Sequence, residues 1–137
     1  AKRLLVYGIH PLCCGNEEAH LRNAEAFAAH VQARPEWPET PIVIMGDFNA
    51  LEDWDSTQLY QGHQVHAFGR DWQLPFGFDD AFRVPPANWY IDGTTHSSGS
   101  RLDYIFTERR SPPVFRTSSS SIWRSAPGGS DHYPIIA

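Results

Sequence analysis

Six side chains in this sequence have the types and settings for proton transfer or metal binding: His10, Asp47, Asn49, Asp103, Asp131 and His132. His10 follows the apolar run LLVYGI. Asp47 and Asn49 follow IVIM and Gly46, and Asp131 and His132 stand between a Gly-rich stretch and YPII. Asp103 falls inside RLDYIF, a predicted strand, where a carboxylate needs a partner or nearby solvent. A histidine is the obvious partner, since an Asp–His pair fixes the imidazole tautomer and stabilises the imidazolium, as general acid–base catalysis requires. Taken singly the signals are weak. A histidine at a strand end is commonly structural or solvated, and Asp-x-Asn is ordinary turn chemistry because both side chains bond nearby backbone. Together, acids, imidazoles and one amide suit a phosphate ester. A carboxylate holds a hard cation, an imidazole moves the proton, and an amide donates to a phosphoryl oxygen. Gly46 and Gly129 would let backbone approach such a ligand closely.

These groups need rigid elements behind them. Residues 4–9 read as a strand buried on both faces, ended by His10 and Pro11. Residues 17–33 read as a helix, with Asn16 as N-cap and Glu17 and Glu18 in the first turn, where the dipole favours anions. Ala24, Phe27, Ala28 and Val31 fall at helical spacing as a core stripe, and Pro35 and Pro38 terminate the element. IVIM, from residue 42, is the next strand. Strand, helix, strand predicts a parallel crossover unit, and α/β folds place active sites in the loops leaving strand carboxyl ends. Residues 51–62 read as a short helix and turn. Residues 63–98 are rich in aromatics, Gly, Pro and His without a clear period, which predicts long loops around short strands. RLDYIF (101–106), TSSSSIW (117–123) and YPII (133–136) read as further strands.

The 137 residues suit one domain. A formal net charge of −5 argues against a large basic surface for passive nucleic-acid binding. It leaves room for a nuclease, because a bound cation supplies positive charge locally. No stretch approaches the roughly 18 consecutive apolar residues of a membrane span. Cys13 and Cys14 are the only cysteines, and adjacent residues do not make an ordinary structural disulfide, so two thiols are expected. His63, His66 and His96 match no standard zinc spacing. Trp72, Phe76, Phe78, Trp89 and Tyr90 are expected to cover the core, and Asp53 and Asp55 to be capping or solvated residues. The chain opens and closes on strand-like runs, so a longer parent protein is expected.

IMGDFNA, SRLDYIF and GGSDHYPI, in that order, resemble the second half of the endonuclease/exonuclease/phosphatase superfamily. That superfamily includes DNase I-like nucleases, abasic-site endonucleases, neutral sphingomyelinases and inositol-polyphosphate phosphatases. VYGIHPL and Arg22 resemble the strand and helix that precede its GDFN motif, and the resemblance is weakest over residues 55–98. It implies a DNase I-like fold, a four-layered α/β sandwich with two β-sheets face to face and helices outside. It also implies roles. Asp47 would orient or activate the attacking water, and Asn49 would bind the phosphoryl oxygen. Asp131 would ligate Mg²⁺, or Mn²⁺ or Ca²⁺. His132 would be the catalytic imidazole with Asp103 as its partner, and His10 would contact phosphate or protonate the leaving oxygen. Arg22 fits a structural ion pair better than a substrate contact.

The superfamily's first half carries an N-terminal Asn and a metal-binding Glu. Glu17, Glu52 and Asp53 lack the expected context for the latter. Residues 1–137 therefore resemble the C-terminal half of a domain, whose missing N-terminal half is an implied partner. The function implied is a divalent-metal-dependent phosphoesterase acting on phosphodiester bonds, nuclease or sphingomyelinase-like, with nucleic acid or a phospholipid headgroup as substrate. The alternative is a non-catalytic domain that retains the fold as a binding surface.

Overall fold

The structure, a computed structural model, describes residues 3–13, 16–83, 92–110, 121–122, 130–133 and 135–136. In chain order its elements are β1 (Leu5–Ile9), α1 (Glu17–Gln32), β2 (Ile42–Asp47), α2 (Asp55–Tyr60), β3 (Val65–Ala67), β4 (Arg70–Trp72), β5 (Phe78–Asp80), β6 (Asp103–Glu108), β7 (Ser121–Ile122) and β8 (Ile135–Ile136).

Helix α1 starts where its sequence offers a cap: the Asn16 side-chain oxygen accepts the Ala19 N–H at 3.0 Å. It presents Leu21, Ala24, Ala28 and Val31 as one buried stripe. That stripe covers the sheet as α1 crosses from β1 to β2, which pair in parallel. Beyond β2 the sheet continues antiparallel through β6 and then β5, giving the order β1-β2-β6-β5. Strands β3 and β4, and β7 and β8, form separate two-stranded antiparallel pairs. The described residues thus hold an α/β architecture with a mixed four-stranded sheet and a helical layer on one face.

Period-two alternation decides which side chains meet the helices. Ile42 and Ile44 of β2, Tyr104 and Phe106 of β6, and Phe78 of β5 join α1 and α2 in one core. Phe48, just past β2, lies at its centre. Its ring makes edge contacts with Tyr60, Tyr104 and Phe106 at centroid separations of 5.3, 5.4 and 5.2 Å. Driving Phe48 inward leaves its neighbours Asp47 and Asn49 only partly buried.

Several expectations need correction. The run LLVYGI is not buried on both faces: among the described residues β1 is a sheet edge, and Val6 is 54% exposed while Leu5, Tyr7 and Ile9 pack against the core. Strand β2 carries on through Gly46 to Asp47, and β6 starts at Asp103 rather than at 101. Cys13 is disulfide-bonded rather than a thiol. Trp72, Phe76 and Phe78 do cover the core. Trp89, Tyr90, Gly129 and most of the TSSSSIW run lie outside the described residues.

Candidate active site

The sheet brings two carboxylates face to face. Asp47 ends β2 and Asp103 starts β6, and the antiparallel register sets them directly opposite each other. Cross-strand partners share a face, and like charges placed so destabilise a sheet. The third group at this point is His132. Its Nδ1 lies 2.8 Å from Asp103 Oδ2 and its Nε2 lies 3.7 Å from Asp47 Oδ2. One imidazole therefore addresses both acids. The hydrogen bond that His132 donates to Asp103 raises the His132 pKa above its ordinary value. Partial burial opposes that shift, and the nearby charges of Asp103, Asp47 and Asp131 add to it.

On the other side of Asp47, His10 Nε2 stands 3.6 Å from the same Oδ2. Both imidazole–Asp47 separations exceed a direct hydrogen bond. They suit a bridging water or a phosphoryl oxygen between the groups. The second oxygen of Asp47 is held locally, since Oδ1 accepts the Asn49 N–H at 2.8 Å in an Asx turn. Asn49 takes a left-handed backbone, φ +49°, which asparagine tolerates. Its Nδ2 donates to the Pro11 carbonyl at 3.0 Å, so the loop after β2 is tied to the loop after β1. A carboxamide nitrogen has two N–H groups, and the second is left to donate elsewhere.

Backbone pairing fixes His132. Tyr133 N–H donates to the Thr95 carbonyl at 2.6 Å and Ser97 N–H to the Asp131 carbonyl at 2.8 Å, around a bridge between His96 and His132. Thr95 itself is fully buried, and its hydroxyl oxygen accepts the N–H groups of Leu102 and Asp103, each at 3.0 Å. The segment that carries His132 is thereby anchored to the start of the strand that carries Asp103.

The structure brings His10, Asp47, Asn49, Asp103 and His132 to one end of the sheet. Asp131 is placed differently, with its side chain 67% exposed and its Oδ2 3.1 Å from His96 Nε2. Its own backbone N–H and the His96 contact hold its carboxyl below the usual range. The sequence set His96 aside for its non-standard zinc spacing and gave no notice of Thr95. The usable signal was position: both lie just before Asp103, behind a turn at Gly99, so they fold back onto the same strand end. The acidic alternatives are committed elsewhere. Glu17 accepts the Asp55 N–H at 2.7 Å. Glu52 binds Arg83 at 2.7 Å and the buried Arg101 at 3.0 Å. Burial would push the Glu52 carboxyl up, but the two guanidinium groups outweigh it and hold it low. Arg22 pairs with Glu18 at 2.5 Å along α1.

The model of the Endonuclease/Exonuclease/phosphatase family matches residues 3–132. The chain belongs to the endonuclease/exonuclease/phosphatase family. No curated protein sequence matches it. Among solved structures, the catalytic domain of human Nocturnin with bound sulfate anion superposes with a TM-score of 0.55 at 11% identity, a likeness of fold. That match covers 95% of this chain and 38% of the Nocturnin chain, so the chain spans well under half of that domain's length.

Members of the endonuclease/exonuclease/phosphatase family are typically hydrolases and generally use divalent metal ions. The oxygen donor available here for such an ion is Asp131, an exposed carboxylate beside two imidazoles. One carboxylate is a sparse set for Mg²⁺, which sheds its water reluctantly and prefers several oxygens.

Proposed function

We propose that this chain carries the proton-handling part of a divalent-metal-dependent phosphodiesterase, nuclease or sphingomyelinase-like in its substrate. The observation that carries this reading is His132, bonded through Nδ1 to Asp103 while its Nε2 faces Asp47. In hydrolysis, water attacks phosphorus in line with the leaving oxygen. Asp47 orients or activates that water. His132 exchanges a proton with the reacting oxygens through Nε2, and Asp103 holds the Nδ1–H and so the tautomer. The free N–H of Asn49 donates to a phosphoryl oxygen. His10, across Asp47 and 74% exposed, contacts phosphate or protonates the leaving oxygen. Asp131 would hold Mg²⁺, or Mn²⁺ or Ca²⁺, which when bound offsets the charge developing on the phosphoryl group.

The partner of this half-site is the N-terminal half of a larger domain, and full activity needs it. Two observations support that reading. The chain spans 38% of the Nocturnin catalytic domain. The sheet face away from the helices exposes Val6 at 54% and Met45 at 39%, apolar surface suited to a second sheet. With a net charge of −5, an anionic substrate depends on the metal and the imidazoles for attraction.

The test assays full-length protein, full-length His132→Ala and residues 1–137 alone on DNA, sphingomyelin and inositol phosphates with Mg²⁺. The full-length protein should hydrolyse a phosphodiester. His132→Ala should lose about 10²–10⁴ of the rate, and the isolated chain should be slower by orders of magnitude. Hydrolysis undiminished in His132→Ala would overturn the reading. Inertness on every substrate would favour the binding-surface alternative.

A further inference from the structure

We propose that His96, Asp131 and His132 form a binding site for a divalent transition-metal ion of the Zn²⁺ class, distinct in chemistry from the Mg²⁺-type site. Among the described residues, these three offer ligand atoms lying within 4.8 Å of one another. The donor set is two imidazoles and one carboxylate. Imidazole nitrogen favours Zn²⁺, Co²⁺, Ni²⁺ or Cu²⁺, whereas Mg²⁺ and Ca²⁺ favour oxygen alone.

The geometry is partly set for coordination: the three ligand atoms lie within 4.8 Å of one another, and an ion would draw them closer. Two ligands about 2.0–2.1 Å from a tetrahedral ion lie roughly 3.3 Å apart. His96 Nε2 and Asp131 Oδ2 are 3.1 Å apart. On His132 the nitrogen left for a metal is Nε2, because Nδ1 is taken by Asp103 at 2.8 Å. That is the carboxylate–histidine arrangement which fixes ring orientation and raises ligand basicity at metal centres. On His96 the Nδ1 lies 2.7 Å from the Ser98 hydroxyl. Binding at His96 Nε2 replaces the proton shared with Asp131. The neutral ring then carries its proton on Nδ1, with the Ser98 oxygen as acceptor, in place of the bond Nδ1 accepts from the Ser98 N–H. The two rings stand edge to face at 4.7 Å and are pinned by the backbone bridge between their own residues. The backbone is thereby held while the side chains close onto the ion, and a fourth position stays open to water or an anion.

The site has a consequence for the activity proposed above and in that respect rests on it. An ion of this class on His132 Nε2 occupies the atom that faces Asp47, and it draws Asp131 away from Mg²⁺. Binding would therefore be inhibitory.

The test titrates metal-free full-length protein with Zn²⁺ by calorimetry in excess Mg²⁺, and follows the His96 and His132 side-chain nitrogens by NMR. A single high-affinity site is expected, with both Nε2 resonances shifting. His96→Ala should weaken it by at least about tenfold, and Asp103→Asn by roughly 10–100-fold, the usual cost of losing an outer-shell partner. His66→Ala, whose imidazole pairs with Asp71, should leave it unchanged. The NMR readout on wild type keeps the test valid even if a variant folds poorly. No Zn²⁺ binding in excess Mg²⁺, or binding that leaves both Nε2 signals in place, would overturn the site. Zn²⁺ binding here without inhibition would uphold the site and count against the catalytic role of His132.

Discussion

Gly46→Ala perturbs the point where β1 and β2 bring His10 and Asp47 together. Gly46 has φ +141°, a conformation that a residue with a Cβ adopts only under strain, of order 1–3 kcal/mol. The added Cβ would lie 2.2 Å from the Ile9 carbonyl oxygen, backbone rather than a movable side chain. Ile9 and Gly46 are register partners, so β1 must retreat from β2 by about 1 Å, at a further cost of about 1–3 kcal/mol. The sum is about 2–6 kcal/mol. At roughly 2–4 °C per kcal/mol for a larger full-length domain, Tm should fall by about 4–24 °C. The displacement falls one residue before both His10 and Asp47, whose 3.6 Å separation would widen. A misplacement of about 1 Å costs on the order of 10²-fold in rate. Thermal melts and hydrolysis assays on the full-length protein check both effects. A Tm within about 2 °C of wild type would show that β1 and β2 accommodate the Cβ without strain.

Thr95→Val keeps the shape of a buried side chain but strands the Leu102 and Asp103 N–H groups. Urea unfolding should show a loss of about 2 kcal/mol or more. Asn16→Ala removes the cap on α1 and should cost about 0.5–2 kcal/mol in the same assay. The raised His132 pKa means that the folded state favours the protonated ring. Its contribution to stability is therefore complete below the ordinary value of 6.5 and is lost as pH rises through the elevated folded value. Urea midpoints of metal-free protein across this window should show that loss in wild type and much less of it in Asp103→Asn.

Local punctuation made much of the site legible. Gly46 before Asp47, Pro11 after His10 and the apolar runs beside them mark strand ends, and strand ends in an α/β unit converge. Asp103 signalled its need for a partner by standing among strand-forming residues. What local sequence does not hold is long-range register. That Asp47 and Asp103 face each other depends on how β2 and β6 align, and that His96 lies beside His132 depends on a backbone bridge across 36 positions. The exposure of Val6 was misread for a related reason. An apolar run shows that a strand can be buried on both faces, but burial is set by what packs on the second face. The same run served the crossover prediction well, because parallel pairing through α1 follows from element order alone.

The proposed catalysis rests on Asp103 and His132 acting as one proton-handling unit opposite Asp47. The most direct measurement is an NMR titration of the His132 ring in metal-free wild-type protein and in Asp103→Asn. The wild-type pKa should lie above the ordinary 6.5 and be lower in Asp103→Asn, because the largest cause of the rise is the hydrogen bond that His132 donates to Asp103. The same His132 pKa in both proteins would contradict the claim.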